Sequence, residues 1–339
     1  LDFEMLKIFG RTSASVQEDF NQLFVPYCCV ASAVETKKSV AFAKGKLNQI
    51  VRASMTFPLY LNPVRIDGVL YFDGGLYNNF PIDVLYKEFQ PDFIIGSNVS
   101  KNLAPVSDRD FFGLLTSMMT TPTNYAMPCA EGLIIEPKTP VGTFDFNDVQ
   151  KAIQDGYLAT MTQMDTILKY VNSRTDPKIL QQKRQIFKQE LLPLRVSEVR
   201  SSSDRKQDLP FVRTAILPKF SKRVLDSLSL EKRYYKALAA PYYSFVSPSF
   251  DIKQDSSLSL QLKVNKANAF RVDFGGIISS RAINTGFLSL AYRRAGLVGQ
   301  RLEVSSYFGK FYGSGKVNYE LVLPGSVPVS LSAYLVLNR

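Results

Sequence analysis

The feature that most constrains this chain is a change of hydrophobic period near residue 268. Upstream, apolar residues recur at helical spacing or in short buried runs. Downstream, apolar and polar residues alternate and the helical period is lost. Phe270, Val272 and Phe274 alternate before Gly275-Gly276, and segments 287–292, 302–308, 317–323 and 327–337 repeat the pattern. Their connections hold Gly, Ser, Asn and Pro. Strands that follow one another without helices predict an antiparallel meander. Tyr307, Phe308, Phe311, Tyr312 and Tyr319 cluster near strand ends, as in a membrane-spanning barrel whose faces alternate between lipid and lumen. A soluble β-sandwich carries similar signals, so both remain open. Five such strands do not close a membrane barrel, because the smallest have about eight.

The 339 residues predict two or three domains. In the first part, 25–34 and 39–43 read as a strand pair. Leu47, Ile50 and Val51 mark a helix that ends near Pro58. Segments 69–72 and 92–98 are short buried strands, and a helix starting at Pro81 carries Ile82, Leu85 and Phe89 on one face. This alternation predicts an α/β layer. Residues 148–172 predict one long amphipathic helix, striped by Val149, Ile153, Tyr157, Met161, Met164, Leu168 and Val171. A polar, basic connection leads to a small α+β unit at about 178–265. Within it, 211–217 reads as a strand, 228–240 as a helix, and 258–264 as a strand by strict alternation.

Charge is unevenly spread: residues 1–150 carry a net −4 and the remainder +15. The basic residues of 174–236 are mixed with seven acids and no nucleic-acid motif accompanies them, so they read as a solvated face, with acidic lipid headgroups as the other partner. Cys28, Cys29 and Cys129 have no zinc-site spacing and read as free thiols. No apolar run reaches the roughly 18 residues of a transmembrane helix. Histidine is absent, so acid–base chemistry here falls to Asp, Glu, Lys or Tyr. No metal or organic cofactor is implied.

The candidate site is LYFDGGLYNNFP, residues 70–81. A strand ending at Asp73 puts a carboxylate at the edge of a sheet, where α/β sheets build sites. Gly74 and Gly75 open conformations and space denied to other residues. Asn78 and Asn79 suit the turn and the exposed amides of the next helix. A simple capped turn fits the same residues. Ser54 reads as a structural hydroxyl, Asp67 as a turn residue and Asp83 as a first-turn acid favoured by the helix dipole.

The run LNQIVRASMTFPLYLNPVRIDGVLYFDGGLYNNFPIDVL (47–85) resembles the patatin-like phospholipase family, in its Arg-Ala-Ser, Pro58, Pro63, Asp-Gly-Gly and Asn-x-Pro. The resemblance spans about residues 1–170. It implies a Ser-Asp dyad in which Asp73 is the catalytic base, Gly74, Gly75, Asn78 and Asn79 support the motif, and the substrate is a lipid or other carboxylic ester. The family's G-x-S-x-G elbow does not occur in these 339 residues, and its glycine-rich oxyanion loop is also missing. The resemblance puts both ahead of residue 1, so this chain alone is expected to be inactive.

Segments 272–294 and 305–321 look like the start of a surface-antigen type outer-membrane barrel, and the unit before them looks like a POTRA module. These resemblances imply the C-terminal part of a hydrolase domain at 1–173, a linker and POTRA-like module at 174–267, and the first barrel strands at 268–339. They place the protein in the outer membrane with both soluble domains periplasmic. Two other readings stay open: a transport or assembly protein whose patatin-like domain only binds lipid, and a soluble esterase with a C-terminal sandwich.

Overall fold

The computed structural model describes all residues except 101, 103–106, 130, 143, 172–173, 204–208, 218–224, 226, 281–283 and 326. Two compact units result: Leu1–Ser15 with Leu192–Arg339, and Val16–Leu191. The first residues wind as α1 (Asp2–Met5), a π turn (Leu6–Gly10) and α2 (Arg11–Ser15).

In Val16–Leu191, β1 (Cys29–Ala33) and β2 (Lys38–Phe42) form the expected hairpin, and α3 (Leu47–Ser54) follows. Strands β3 (Val64–Ile66) and β4 (Val69–Asp73) complete an antiparallel sheet of order β2-β1-β4-β3. Asp67 and Gly68 join β3 to β4 with φ of 48° and 88°. Positive φ at both central positions is the geometry that matches a two-residue hairpin to the twist of its strands. Every β1 residue is buried, and its small Ala31 and Ala33 pack with Ala53, Val64 and Tyr71. Helix α4 (Ile82–Phe89) leads to β5 (Ile94–Ser97), then α5 (Phe111–Met119) and β6 (Gly132–Ile135). β5 and β6 pair in parallel. Phe80, Ile82 and Ile94 form a separate core beside them.

The expected long helix is interrupted at Thr162–Gln163, giving α6 (Val149–Met161) and α7 (Met164–Tyr170). No residue of either is buried. Val149, Ile153, Tyr157, Met161 and Leu168 are exposed, so the stripe is uncovered among the described residues; position 172 lies outside them. The expected basic connection instead holds α8 (Pro177–Glu190), capped by Asp176, whose Oδ1 accepts the Lys178 N–H at 2.7 Å.

In the other unit, β7 (Val196–Ser202), α9 (Pro210–Ile216), α10 (Ser227–Leu238), β8 (Tyr243–Ile252) and β9 (Leu258–Lys266) make a module with sheet order β7-β9-β8. Residues 210–216 form a helix, contrary to the expected strand. Pro210 occupies the first turn, where its missing N–H is harmless. Buried Phe211, Val212 and Ile216 face one side. Leu258, Leu260, Leu262 and Val264 are all buried, as their alternation predicts. Phe3, Leu6 and Ala14 join this core, and the Phe3 ring lies 4.8 Å from that of Tyr234.

Five strands follow: β10 (Phe270–Ile277), β11 (Thr285–Ala295), β12 (Gly299–Gly309), β13 (Gly313–Leu323) and β14 (Val329–Asn338). Neighbours pair antiparallel in chain order, which is the expected meander. Its register segregates the faces. Phe270, Tyr292, Leu302 and Tyr319 align in one row, and Val272, Leu290, Val304, Val317 and Leu335 in the next. All nine are exposed. The opposite face aligns Arg271, Ala291, Glu303 and Asn318, then Asp273, Ser289, Ser305 and Lys316. Arg271–Asp273 and Arg301–Glu303 are ion pairs on that side, at 2.9 and 2.5 Å.

Two glycines differ sharply in surroundings. A Cβ at Gly74 would lie 2.5 Å from the Val30 carbonyl oxygen, whereas one at Gly156, inside α6, meets nothing within 4 Å. Gly74→Ala is expected to destabilise the Val16–Leu191 unit by about 1–3 kcal/mol, the usual range for overpacking. Gly156→Ala is expected to stabilise it by roughly 0.5–1 kcal/mol. Urea unfolding of the two variants checks the opposite signs.

Candidate active site

β4 delivers Asp73 to the sheet edge. Its last residue pairs with Ala31 of β1, and its N–H donates to the Thr56 carbonyl at 2.9 Å. Thr56 is itself fixed. Arg52, buried at the end of α3, donates to Thr56 Oγ1 at 2.5 Å and to the Asn62 carbonyl at 3.2 Å. The arginine of Arg-Ala-Ser therefore braces the loop on which Asp73 rests. The preceding backbone, β1, approaches Gly74 so closely that a side chain there has no room. The Gly74 carbonyl accepts the Ser32 hydroxyl at 3.3 Å and the Asn78 N–H at 2.9 Å.

The Asp73 carboxylate is half-buried. Oδ1 accepts the Gly75 N–H at 2.8 Å, which caps the short 3₁₀ turn Gly74–Leu76. Among the described residues Oδ2 accepts no hydrogen bond. Burial pushes the carboxyl above its ordinary value, and the Gly75 N–H partly offsets this. Burial destabilises the charged form; the amide favours it. The result is a carboxylate with one oxygen held in place and the other able to take a proton.

Gly75 keeps the gap beside this carboxylate. A Cβ there would meet Asn79 Oδ1 at 2.5 Å and Asp73 Oδ1 at 3.1 Å. The two asparagines separate in role. Asn78 Nδ2 donates to Asp83 Oδ1 at 2.9 Å and ties the turn to the first turn of α4. Asn79 turns the other way: its N–H donates to Thr123 Oγ1 at 3.1 Å and its Nδ2 to Ser100 Oγ at 2.8 Å. Ser100 stands 3.3 Å from the Tyr125 hydroxyl, and Asn98 Nδ2 donates to Glu136 Oε1 at 2.8 Å. Asp73, Gly74, Gly75, Asn78 and Asn79 are thus brought together by one turn, while Ser54 is half-buried at the end of α3 and Asp67 lies in the β3–β4 hairpin.

Sequence reasoning missed Ser100, Thr123, Tyr125 and Glu136. Asn98, at the exit of β5, carries a signal like that of Asp73, a polar residue closing a buried strand. Thr123 lies 44 residues from Asn79 in a segment without periodic pattern, so nothing local marks it. Cys28, Cys29 and Cys129 are free thiols.

Residues 30–86 match the patatin-like phospholipase family model. The match runs from β1 into α4 and contains Asp73, both glycines and both asparagines. Uncharacterized NTE family proteins of Mycobacterium bovis and Mycobacterium tuberculosis are 39% identical over 61 residues, covering 18% of this chain and 17% of theirs. The similarity therefore spans less than a fifth of those relatives. Among solved structures, BamA from Haemophilus ducreyi lacking POTRA domains 1–3 aligns with 42% of this chain and 27% of its own, at 14% identity and a TM-score of 0.34. The lipid-hydrolase family likeness thus coincides with the Asp73 turn.

The raised pKa has a stability consequence. A carboxyl whose folded pKa lies above its unfolded value penalises the fold once it ionises, so the penalty is present at neutral pH and absent below the unfolded pKa. Asp73→Asn, neutral at every pH, is expected to raise the melting temperature of the Val16–Leu191 unit at pH 7. The gain should vanish as pH falls below the ordinary aspartate value of 3.8. Thermal unfolding across pH tests this sign.

Proposed function

We propose that this chain is part of a lipid acyl hydrolase in which Asp73 is the general base of a Ser-Asp dyad. The single observation that carries the reading is the Asp73 carboxylate at the end of β4, with Oδ1 anchored by the Gly75 N–H and Oδ2 taking no hydrogen bond among the described residues. The absence of histidine agrees with it, because such a dyad needs none. No G-x-S-x-G stands in the 339 residues, so the nucleophile and the glycine-rich oxyanion loop come from a segment outside them.

The steps follow from acyl-transfer chemistry. The serine hydroxyl gives its proton to Asp73 Oδ2 while its oxygen bonds to the ester carbonyl carbon. The tetrahedral intermediate collapses, the carbon–oxygen bond to the alcohol breaks, and the departing alkoxide takes the proton back. Water then repeats the sequence against the acyl-serine and releases a carboxylic acid. Gly74 and Gly75 shape access to the base; Asn78 and Asn79 hold the turn.

The complete protein is expected to cleave acyl esters, and Asp73→Asn to lower kcat by about 10³-fold or more with folding retained; triad-type losses fall in this range. Its acid limb in kcat/KM should lie above the ordinary carboxylate range, since the base works only when ionised. Undiminished cleavage by Asp73→Asn would overturn the assignment. The 339-residue chain alone is expected to be inert toward esters, so Asp73-dependent turnover by it would overturn the assignment of the nucleophile to another segment.

We take 174–267 as a linker and a POTRA-like module, joined by Leu1–Ser15, whose Phe3, Leu6 and Ala14 enter its core, and 268–339 as the first strands of an outer-membrane barrel, with the hydrolase part thereby cut back from 1–173 to 16–173 and the module in the periplasm. The segregated faces of β10–β14 suit a lipid-facing wall: on the apolar side Phe274 and Leu335 are 86% and 64% exposed. Segment 281–283 of the barrel-like motif lies outside the described residues. No helix among the described residues is long and apolar enough to cross a membrane. Val304→Arg, on the apolar face, is expected to cost about 2–4 kcal/mol of membrane stability, the known range for arginine at a bilayer midplane. Ser305→Arg, on the polar face, should leave membrane recovery after alkaline washing unchanged.

A further inference from the structure

Beside Asp73 lies an exposed aromatic patch that the dyad does not use. Thr56, whose carbonyl holds the Asp73 N–H, is followed at once by Phe57. The Phe57 ring meets Tyr60 at 5.6 Å and Phe144 at 5.2 Å, both edge-on, and Tyr60 stacks on Phe144 at 4.4 Å. Residues that far apart in sequence converge only by folding. Yet all three rings are exposed, Tyr60 by 67%. Leu59 and Phe146, on the same two segments, are 72% and 74% exposed. Leu59 is held at φ 69°, a conformation uncommon for a leucine.

The charge pattern narrows the occupant. Residues 55–64 contain no charged side chain, and 139–147 contain only Asp145. Neither segment supplies the Lys or Arg that recruits polyanions or acidic headgroups. Aromatic rings with a polar edge prefer the boundary between water and hydrocarbon. An apolar patch on a soluble unit marks an interaction site, and its neighbour here is a base for ester cleavage.

We propose that Phe57, Tyr60 and Phe144 seat the Asp73 site on the headgroup layer of a zwitterionic lipid bilayer, with Leu59 and Phe146 entering the acyl boundary. The occupant rests on the lipid-hydrolase reading; the patch itself does not. Binding is driven by apolar insertion and is insensitive to salt. A lipid ester then meets the base without leaving the layer entirely.

The chain has no tryptophan, so one introduced indole reports only its own surroundings and separates this patch from the apolar face of β10–β14. Phe144→Trp and Tyr60→Trp are aromatic exchanges at exposed positions, and Tyr86→Trp on α4 is the control. The 339-residue variants are mixed with phosphatidylcholine vesicles whose acyl chains carry bromine. The indoles at 144 and 60 are expected to shift to the blue and be quenched severalfold more than that at 86, equally at low and high salt. Equal quenching at all three positions would overturn the proposal. So would quenching that requires phosphatidylglycerol and is lost in salt. A blue shift without vesicles that grows with protein concentration would assign the patch to a second copy of the chain instead. The 339-residue chain needs no catalysis for vesicle quenching, so this result and the Asp73→Asn kinetics of the complete protein can fail separately.

Discussion

The site depends on how tightly β4 and the turn after it lie against β1. The Val30 carbonyl occupies the space that any side chain at position 74 would need. That contact, with the Ala31–Asp73 pairing and the Thr56 carbonyl on the Asp73 N–H, fixes the direction of the carboxylate. Each bond alone is worth about 1 kcal/mol net. Together they hold the backbone at Asp73, and the Gly75 N–H holds its Oδ1. Arg52 extends the constraint backward, because it holds the loop that supplies Thr56.

The capping role of Asp73 leaves room for the base role proposed above. Asp73 is a turn cap, as D-G sequences commonly are, and Oδ1 does that work. A carboxylate has two oxygens, and capping uses only one. The nearby Asp67-Gly68 pair shows the contrast. There both residues adopt positive φ and close a two-residue hairpin, Asp67 is exposed, and Arg65 donates to the Gly68 carbonyl. The same dipeptide therefore makes an exposed hairpin turn at one end of β4 and a half-buried capped turn at the other.

Much of this was legible beforehand. The β1–β2 hairpin, α3, β4 and α4 follow from short apolar runs, Pro58 and Pro81, and the meander follows from its period of two. The Asp73 turn was legible because strand exit, glycines and asparagines are contiguous. The helix α9 was misread because Phe211 and Val212 suggest a strand, whereas Pro210 and Ile216 favour a helix turn. Helix α8 was hidden by its charge, though Asp176-Pro177 is a capping signal. The partners of Asn79 were illegible for another reason. Ser100 and Thr123 lie 21 and 44 residues from Asn79, and no local rule encodes a contact at that separation.

The register of β10–β14 carries a consequence for how this sequence can change. Apolar and polar rows alternate at every residue, so one amino acid inserted early in β12 would move Arg301 and Glu303 to the apolar face and Leu302 and Val304 to the polar one. The connecting loops impose no such parity. Descendants of this chain are free to grow by any length at the tips of their hairpins, but within a strand only by twos.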